Sequence, residues 1–99
     1  MRPVYGSSEL KQLAENVKYK TSWDTAIVKL YRKRIQQIVA APDQRALRAF
    51  RSLRLEKLKG QRSGQYSLRL NDQWRLIVVF GEEAGEKVVH IVGIEDYHS

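Results

Sequence analysis

The C-terminal end of the chain carries three neighbouring side chains that can each exchange a proton: Asp96, Tyr97 and His98. Upstream, residues 54–75 read RLEKLKGQRSGQYSLRLNDQWR and contain six basic and two acidic residues. Cutting an RNA strand without a metal ion needs a base near the 2′-hydroxyl, cations beside the phosphate oxygens and an acid for the leaving oxygen. The two segments together contain residue types for all three tasks.

A solvated surface is the alternative explanation for both segments. Asp-Tyr-His can stand by chance at an exposed chain end, and the basic residues can belong to a hairpin with ordinary surface charges. His90 lies within an apolar segment, so it is interpreted as a residue of the core or of the sheet surface. These residues alone therefore leave the choice open.

The composition is that of a folded, positively charged protein. Hydrophobic residues make up 42% of the 99 residues, and no cysteine is present, which excludes disulfide bonds and thiolate metal sites. The net charge is +7: residues 45–75 contribute +7, residues 1–44 contribute +4 and residues 76–99 contribute −4. This concentration of positive charge predicts a face that binds a polyanion. Nucleic acid is favoured over a membrane surface, because no helix pairs a basic face with aromatic anchors.

The length and the apolar pattern predict one domain without a membrane anchor. Ninety-nine residues are enough for a single modest core, so residues 1–99 are interpreted as one domain. The first residues lack the apolar core of a signal peptide, and no apolar run approaches the roughly 20 residues that cross a bilayer. We therefore expect a soluble protein of the cytoplasm.

Three helices are predicted in the first half of the chain. Ser7 is a candidate N-cap for a helix over residues 8–17. A longer helix starts after Thr21 or Ser22, with Asp24 favouring its N-terminal end, and continues to about residue 41; a third, shorter helix follows. Four basic residues lie between the apolar positions of the second helix: Lys29, Arg32, Lys33 and Arg34. These four residues lie away from the buried face of the helix, and they form either a basic face that binds RNA or an ordinary solvated surface.

Strand periodicity replaces helical periodicity in the second half. Residues 66–70 alternate apolar and polar side chains, as in a half-buried strand, and Asn71 and Asp72 form the turn that follows. Residues 74–80 are almost wholly apolar, which predicts a central strand covered on both faces.

An acidic loop over residues 81–86 and a last strand over residues 88–94 complete the sheet, and residues 4–5 indicate a further short strand. The predicted fold class is α+β, with N-terminal helices packed on a small antiparallel β-sheet of three or four strands. One face of the sheet packs on the helices. The other face is expected to display Arg69, Arg75 and the C-terminal residues.

Other kinds of site are excluded by missing motifs. The two histidines, His90 and His98, belong to no spaced set of metal ligands, so neither a metal site nor a cofactor is expected. No GxSxG nucleophile elbow, no P-loop and no dinucleotide fingerprint occurs.

Two separated motifs resemble those of a known family. The segment LEKLKGQRSGQYSLRLNDQWRL and the ending IEDYH are similar to the HigB group of the RelE-like toxins, small basic killer proteins of bacterial toxin–antitoxin modules. The resemblance covers residues 23–98 and is most specific at residues 55–76 and 94–98. It implies a microbial-ribonuclease-like fold and a metal-independent endoribonuclease that cleaves translated mRNA in the decoding site of the ribosome. It also implies a HigA-type helix-turn-helix antitoxin as partner.

The resemblance assigns catalytic roles by position. Lys59 matches the lysine of the LKG motif, Arg75 matches the arginine after the tryptophan, and the Asp-Tyr-His ending matches residue by residue. In this interpretation, Lys59 and Arg75 stabilise the charge of the phosphorane. Asp96 or Glu56 activates the 2′-hydroxyl, and His98 or Tyr97 protonates the leaving 5′ oxygen. Glu56 stands where some members of the group have a histidine, which is the one departure that bears on the mechanism.

The remaining basic residues are expected to hold RNA or ribosomal backbone. They are Arg54, Lys57, Arg62 and Arg69, of which Arg62 also assists at the phosphate. Two alternatives stay open at this point. The chain can be a ParE-like toxin of the same fold that inhibits gyrase, or an RNA-binding module without catalytic activity.

Overall fold

The computed structural model describes residues 1–97 and shows helices packed against one five-stranded β-sheet. The helices and strands are, in chain order, β1 (Arg2–Tyr5), α1 (Ser8–Glu15), α2 (Thr25–Ala40), α3 (Gln44–Ala49), β2 (Glu56–Lys57), β3 (Tyr66–Arg69), β4 (Trp74–Glu83) and β5 (Glu86–Asp96). Two single 3₁₀ turns, at Arg51–Leu53 and Gly60–Arg62, lie on either side of β2. The predicted α+β class is confirmed, and four of the five strands follow the helices in the chain, whereas β1 precedes them.

The sheet has the strand order β1-β5-β4-β3-β2. Strands β2 to β5 form the predicted antiparallel meander, but β1 pairs in parallel with β5. The sheet therefore has one strand more than the predicted meander, and the prediction of an antiparallel sheet is wrong for this one pairing. A parallel pair needs a long connection, and here it includes all of the helices and three strands. No local turn signal in the sequence marks such a distant pairing.

The hairpin between β4 and β5 is tighter than the predicted acidic loop. Only Ala84 and Gly85 form the turn, with positive φ angles of 50° and 79°. Two-residue hairpin turns use this conformation because its twist matches that of the flanking strands. The acidic side chains of Glu83 and Glu86 consequently lie in strands, and both form ion pairs with Arg2, at 3.0 and 3.2 Å.

Side-chain caps start the first two helices, and the Ser7 cap was predicted, whereas the second helix begins at Thr25 and so later than its predicted start after Thr21 or Ser22. The Ser7 hydroxyl accepts a hydrogen bond of 3.1 Å from the backbone N–H of Leu10. The Asp24 carboxylate accepts one of 2.9 Å from the backbone N–H of Ala26. The first helix ends earlier than predicted, which leaves Val17 exposed instead of on the buried stripe.

The core lies between the helices and one face of the sheet. Its fully buried side chains include Leu13, Tyr31, Ile38, Leu47, Leu53, Leu68, Leu70, Leu76, Val78, Val89 and Ile91. The hydroxyl of Tyr31 donates a hydrogen bond of 2.7 Å to the carbonyl oxygen of Leu10, and burial raises its pKa. Alternation along β3 and β4 sends Leu68, Leu76 and Val78 into this core, so the residues between them face the other side of the sheet.

Two of the four basic residues on α2 hold the fold together. Arg34 is only 6% exposed, so its predicted place on the helix surface is wrong. Its Nε donates a hydrogen bond of 2.8 Å to the carbonyl oxygen of Arg69, and burial lowers its pKa. Arg32 donates one of 2.8 Å to the carbonyl oxygen of Leu13. These arginines tie α2 to the end of β3 and to α1.

Candidate active site

The register of the sheet brings residues of three strands into one row. Arg75 of β4 pairs with Arg69 of β3 and with Glu95 of β5. Cross-strand partners lie on the same face of a sheet, and these three side chains stand outside the core cluster. The open face therefore carries the two predicted arginines together with an acid, Glu95, for which the sequence suggested no role.

A cavity of about 200 Å³ includes part of this row. Its lining residues are Glu56, Leu58, Arg62, Ser67, Arg75, Ile77, Glu95, Asp96 and Tyr97. Four of the six predicted catalytic residues are among them: Glu56, Arg75, Asp96 and Tyr97. Arg62, predicted to bind RNA, lines the cavity as well. The fold thus brings the basic middle segment and the end of the chain to one place.

Arg75 is fixed from two sides. Its guanidinium carbon lies 4.0 Å from the centroid of the Tyr97 ring, a cation–π contact. Its Nη1 donates hydrogen bonds of 2.6 and 3.1 Å to the carbonyl oxygens of Asn71 and Trp74. The side chain is only 7% exposed, and within residues 1–97 it forms no ion pair. A carboxylate of this part of the chain therefore does not neutralise it, and its orientation is set before any ligand binds.

The turn before β4 connects Arg75 with the C-terminal end. The side chain of Asn71 accepts hydrogen bonds from the backbone N–H groups of Gln73 and Trp74, at 2.9 and 2.8 Å, which confirms the predicted turn. The carbonyl oxygen of Gln73 accepts a hydrogen bond of 2.6 Å from the N–H of Tyr97, and its side chain donates one of 3.0 Å to Asp96. This turn therefore positions the two C-terminal side chains against the strand that carries Arg75.

Arg62 and Glu95 form an ion pair with two hydrogen bonds. Nη1 and Nη2 of Arg62 donate to Oε1 and Oε2 of Glu95, at 2.6 and 2.7 Å. Nε donates a third hydrogen bond, of 3.0 Å, to the side chain of Gln65. The hydrogen bond to Glu95 raises the pKa of Arg62. Alternation along β5 places Glu95 on the same face as Tyr97, but only the strand register shows that it lies level with Arg75.

The cavity has the groups for proton transfer, but no surplus of positive charge. Two arginines line it against three carboxylates, those of Glu56, Glu95 and Asp96. Glu56 is exposed and pairs across the strands with Ser67, so it reaches the cavity from the edge strand β2. Attraction of a polyanion must consequently come from basic residues around the cavity, because its own lining is not net positive.

Of the remaining two predicted catalytic residues, only Lys59 belongs to the described part of the chain, and it does not line the cavity. Lys59 is exposed and lies in the segment after β2, immediately before Gly60, whose φ angle is 69°. His98 lies outside the described residues. The catalytic roles suggested for all six residues stay predictions.

Three of the predicted RNA-binding residues lie outside the cavity. Arg54 and Lys57 are exposed. Arg69 is half-buried and forms an ion pair with Asp72, whose pKa is lowered by this hydrogen bond. Arg69 is thus partly neutralised, whereas Arg54 and Lys57 add positive charge near the strand that supplies Glu56.

Residues 1–97 contain neither a group of metal ligands nor a helix that could span a membrane. No group of three or more His, Cys, Asp or Glu side chains in this part of the chain could hold a metal ion. None of the helices described is both long and apolar enough to span a bilayer.

A family model described as the RelE-like toxin of type II toxin–antitoxin system HigB matches residues 5–98. The chain belongs to this family of HigB-like toxins. The match includes both segments that form the cavity, and the resemblance inferred from the LKG and DYH motifs is confirmed. Since a type II toxin is one component of a two-protein system, an antitoxin is its partner.

A solved structure supports the fold. The chain is similar to the YoeB/ParE toxin from Agrobacterium tumefaciens, with a TM-score of 0.59 and 16% identity. The superposition covers 98% of this chain and 99% of that chain. At this identity the similarity concerns the fold alone. A search among curated proteins gave no match.

Proposed function

We propose that this HigB-like toxin is a ribosome-dependent mRNA endonuclease that works without a metal ion. One observation carries the proposal: a buried arginine without an ion pair in the described chain, Arg75, lies in one cavity with the carboxylates of Glu56 and Asp96 and the phenol of Tyr97. A preoriented cation beside groups that exchange protons is what phosphodiester cleavage by the adjacent 2′-hydroxyl requires.

The reaction forms one bond at phosphorus and breaks another. Asp96 or Glu56 removes the proton from the 2′-hydroxyl, whose oxygen attacks the neighbouring phosphorus atom. Arg75, assisted by Arg62 and Lys59, stabilises the additional negative charge of the phosphorane. The bond to the 5′ oxygen then breaks, and His98 or Tyr97 protonates that oxygen. The products are a 2′,3′-cyclic phosphate and a 5′-hydroxyl end.

The partners follow from the same proposal. The substrate is message that is being translated, so the toxin acts on ribosomes in the cytoplasm. A HigA-type antitoxin with a helix-turn-helix domain keeps it inactive. The exposed residues Arg54 and Lys57 hold RNA or ribosomal backbone beside the cavity, where they supply the positive charge that the lining lacks.

Replacement of Arg75 tests the proposal directly. Wild type, Arg75→Ala and the distant control Arg2→Ala are expressed in a bacterium, and the 5′ ends of messages are mapped. We expect wild type and the control to stop growth and cut messages, and Arg75→Ala to cut on the order of 10²-fold more slowly. The melting temperatures of the purified proteins show whether the variants are folded.

Equal cleavage by wild type and folded Arg75→Ala would contradict the proposal. A supercoiling assay with purified gyrase addresses the alternative activity. Gyrase inhibition with intact messages would favour a ParE-like toxin, and ribosome binding without any cleavage would favour an RNA-binding module.

A further inference from the structure

Glu95 belongs to the lining of the cavity, yet the reaction proposed above gives it no role. It lies level with Arg75 on the neighbouring strand, and its carboxylate binds Arg62 through both oxygens. A carboxylate beside an expected phosphate site needs a physical reason, because its charge repels the phosphate.

Backbone hydrogen bonds hold the segment that carries Arg62: the N–H of Gln65 donates to the carbonyl oxygen of Arg62 at 3.0 Å, and the N–H of Ser63 to that of Gly60 at 3.1 Å. These bonds do not fix its side chain. Arg62 ends the 3₁₀ turn between β2 and β3, and glycines with positive φ angles lie on both sides, Gly60 at 69° and Gly64 at 93°. Glycine permits many backbone conformations. Two side chains fix the guanidinium instead, Gln65 from its own segment and Glu95 from the long central strand β5.

The hydrogen-bond pattern leaves part of Arg62 available. A guanidinium has five N–H groups, of which Glu95 accepts two and Gln65 accepts one. One N–H on each Nη therefore remains, and the side chain is 43% exposed. A bidentate pair with a carboxylate also defines the plane of the guanidinium. Arg62 is thus held in one orientation while it keeps two donors for a further acceptor.

We propose that Glu95 is a positioning residue that holds the guanidinium of Arg62 in the cavity, so that Arg62 and Arg75 meet the scissile phosphate together. The proposal rests on the function proposed above. A flexible arginine loses rotamer freedom when it binds a phosphate, whereas an arginine already fixed by Glu95 does not lose it again at that step. The repulsion between Glu95 and the phosphate is the accompanying cost.

Single-turnover cleavage of message on programmed ribosomes tests this role. The variants are Glu95→Gln, Arg62→Gln and the double variant, with Glu82→Gln as a control that removes one exposed charge elsewhere. We expect Glu95→Gln to lower the maximal cleavage rate about 10-fold and to leave the apparent affinity for the ribosome unchanged. Arg62→Gln is expected to lower the rate on the order of 10²-fold.

The double variant separates positioning from other roles. If Glu95 acts only through Arg62, the double variant cleaves as slowly as Arg62→Gln alone. Three results would overturn the proposal: Glu95→Gln is as fast as wild type, it is faster because repulsion is removed, or the two effects multiply. A loss of rate that only follows a lower melting temperature would likewise show that Glu95 is merely structural.

A measurement that needs no cleavage distinguishes this proposal from the proposed function. The NMR signal of the Arg62 Nε–H group is recorded during titration with inorganic phosphate, in wild type and in Glu95→Gln. We expect a sharp signal that shifts with phosphate in wild type, and a broadened signal with several-fold weaker phosphate binding in the variant. Identical titrations would reject the positioning role even if wild type cleaves RNA. If wild type cleaves none, the proposed function fails and this titration alone decides on Glu95.

Discussion

Tyr97 has a ring that contacts Arg75 and a hydroxyl that is proposed to act as an acid, and two substitutions are needed to separate their effects. Its ring contacts the guanidinium of Arg75 at 4.0 Å, and its hydroxyl is one of the two proposed acids. Tyr97→Phe keeps the ring and removes the hydroxyl, whereas Tyr97→Leu removes both. We expect the free energy of unfolding of Tyr97→Leu to be lower than that of Tyr97→Phe by about 0.5–2 kcal/mol, the size of a cation–π contact. Urea unfolding of the two variants measures this difference.

The cleavage rates of the same two variants distinguish the acids. If Tyr97 protonates the leaving oxygen, Tyr97→Phe loses about 10²–10⁴-fold in rate, the usual contribution of general acid catalysis. A rate close to wild type in Tyr97→Phe assigns that role to His98. Equal stabilities of the Phe and Leu variants would show that the ring does not hold Arg75.

At the scale of single residues, the sequence allowed a prediction where the signal lies in neighbouring residues. Arg75, Asp96 and Tyr97 were found from motif positions, and the Asn71 turn from its residue type. Arg34 could not be predicted as a buried residue, because its partner is a carbonyl oxygen 35 positions away. Glu95 was missed for a similar reason: its role depends on Arg62, which only the folded sheet brings within 2.6 Å.

At the scale of elements, the close approach of β1 to β5 explains why residue 6 is a glycine. A Cβ atom on Gly6 would lie 2.8 Å from the carbonyl oxygen of Ile91, whereas one on Gly93 would meet nothing within 4 Å. The Gly6 N–H also donates a hydrogen bond of 2.9 Å to that oxygen. Gly6→Ala must therefore push β1 away from the backbone of β5.

We expect Gly6→Ala to lower the free energy of unfolding by about 1–3 kcal/mol, as overpacking in a rigid environment does. Gly93→Ala is the matched control, with a change within about 0.5 kcal/mol. Chemical denaturation of both variants measures these changes. Equal stability of the two variants would contradict the parallel pairing of β1 with β5.

The pairing of β1 with β5 also shows which features of the strands could not be predicted from the sequence. The start of the first helix, the antiparallel meander and the apolar central strand were predicted because caps, turns and alternation are local signals. The partner of β1 was not, since it pairs residues 2–5 with residues 88–91. The length of β4 was underestimated because the acidic residues suggested a loop, although Arg2 compensates their charge across the sheet.

The distribution of charge over the whole molecule complements the cavity. Arg45, Arg48, Arg51, Arg54 and Lys57 occur at every third position, all are exposed, and no ion pair within the described residues includes them. They occur along α3, the first 3₁₀ turn and β2, and β2 also contributes Glu56 to the lining of the cavity. Neighbouring helical positions three apart lie on the same side of a helix. Arg45 and Arg48 therefore lie on one side of α3, and the basic ridge is defined by these five exposed residues, which lead along the chain to β2.

The ridge is expected to contribute affinity for RNA and not the rate of cleavage. Replacing Arg45, Arg48 and Arg51 by Gln should weaken ribosome binding and make its dependence on salt shallower. Removing one arginine that binds a phosphate changes the slope of log K against log salt by about 0.7–0.9, so removing three should change it by about 2. The matched control removes three exposed lysines elsewhere: Lys11, Lys18 and Lys20.

Affinity is measured for wild type and both variants over a series of salt concentrations, together with the maximal cleavage rate. The control should keep the wild-type slope although its net charge falls equally. The same slope for both triple variants would mean that net charge alone attracts the ribosome, and that the ridge does not bind phosphates directly.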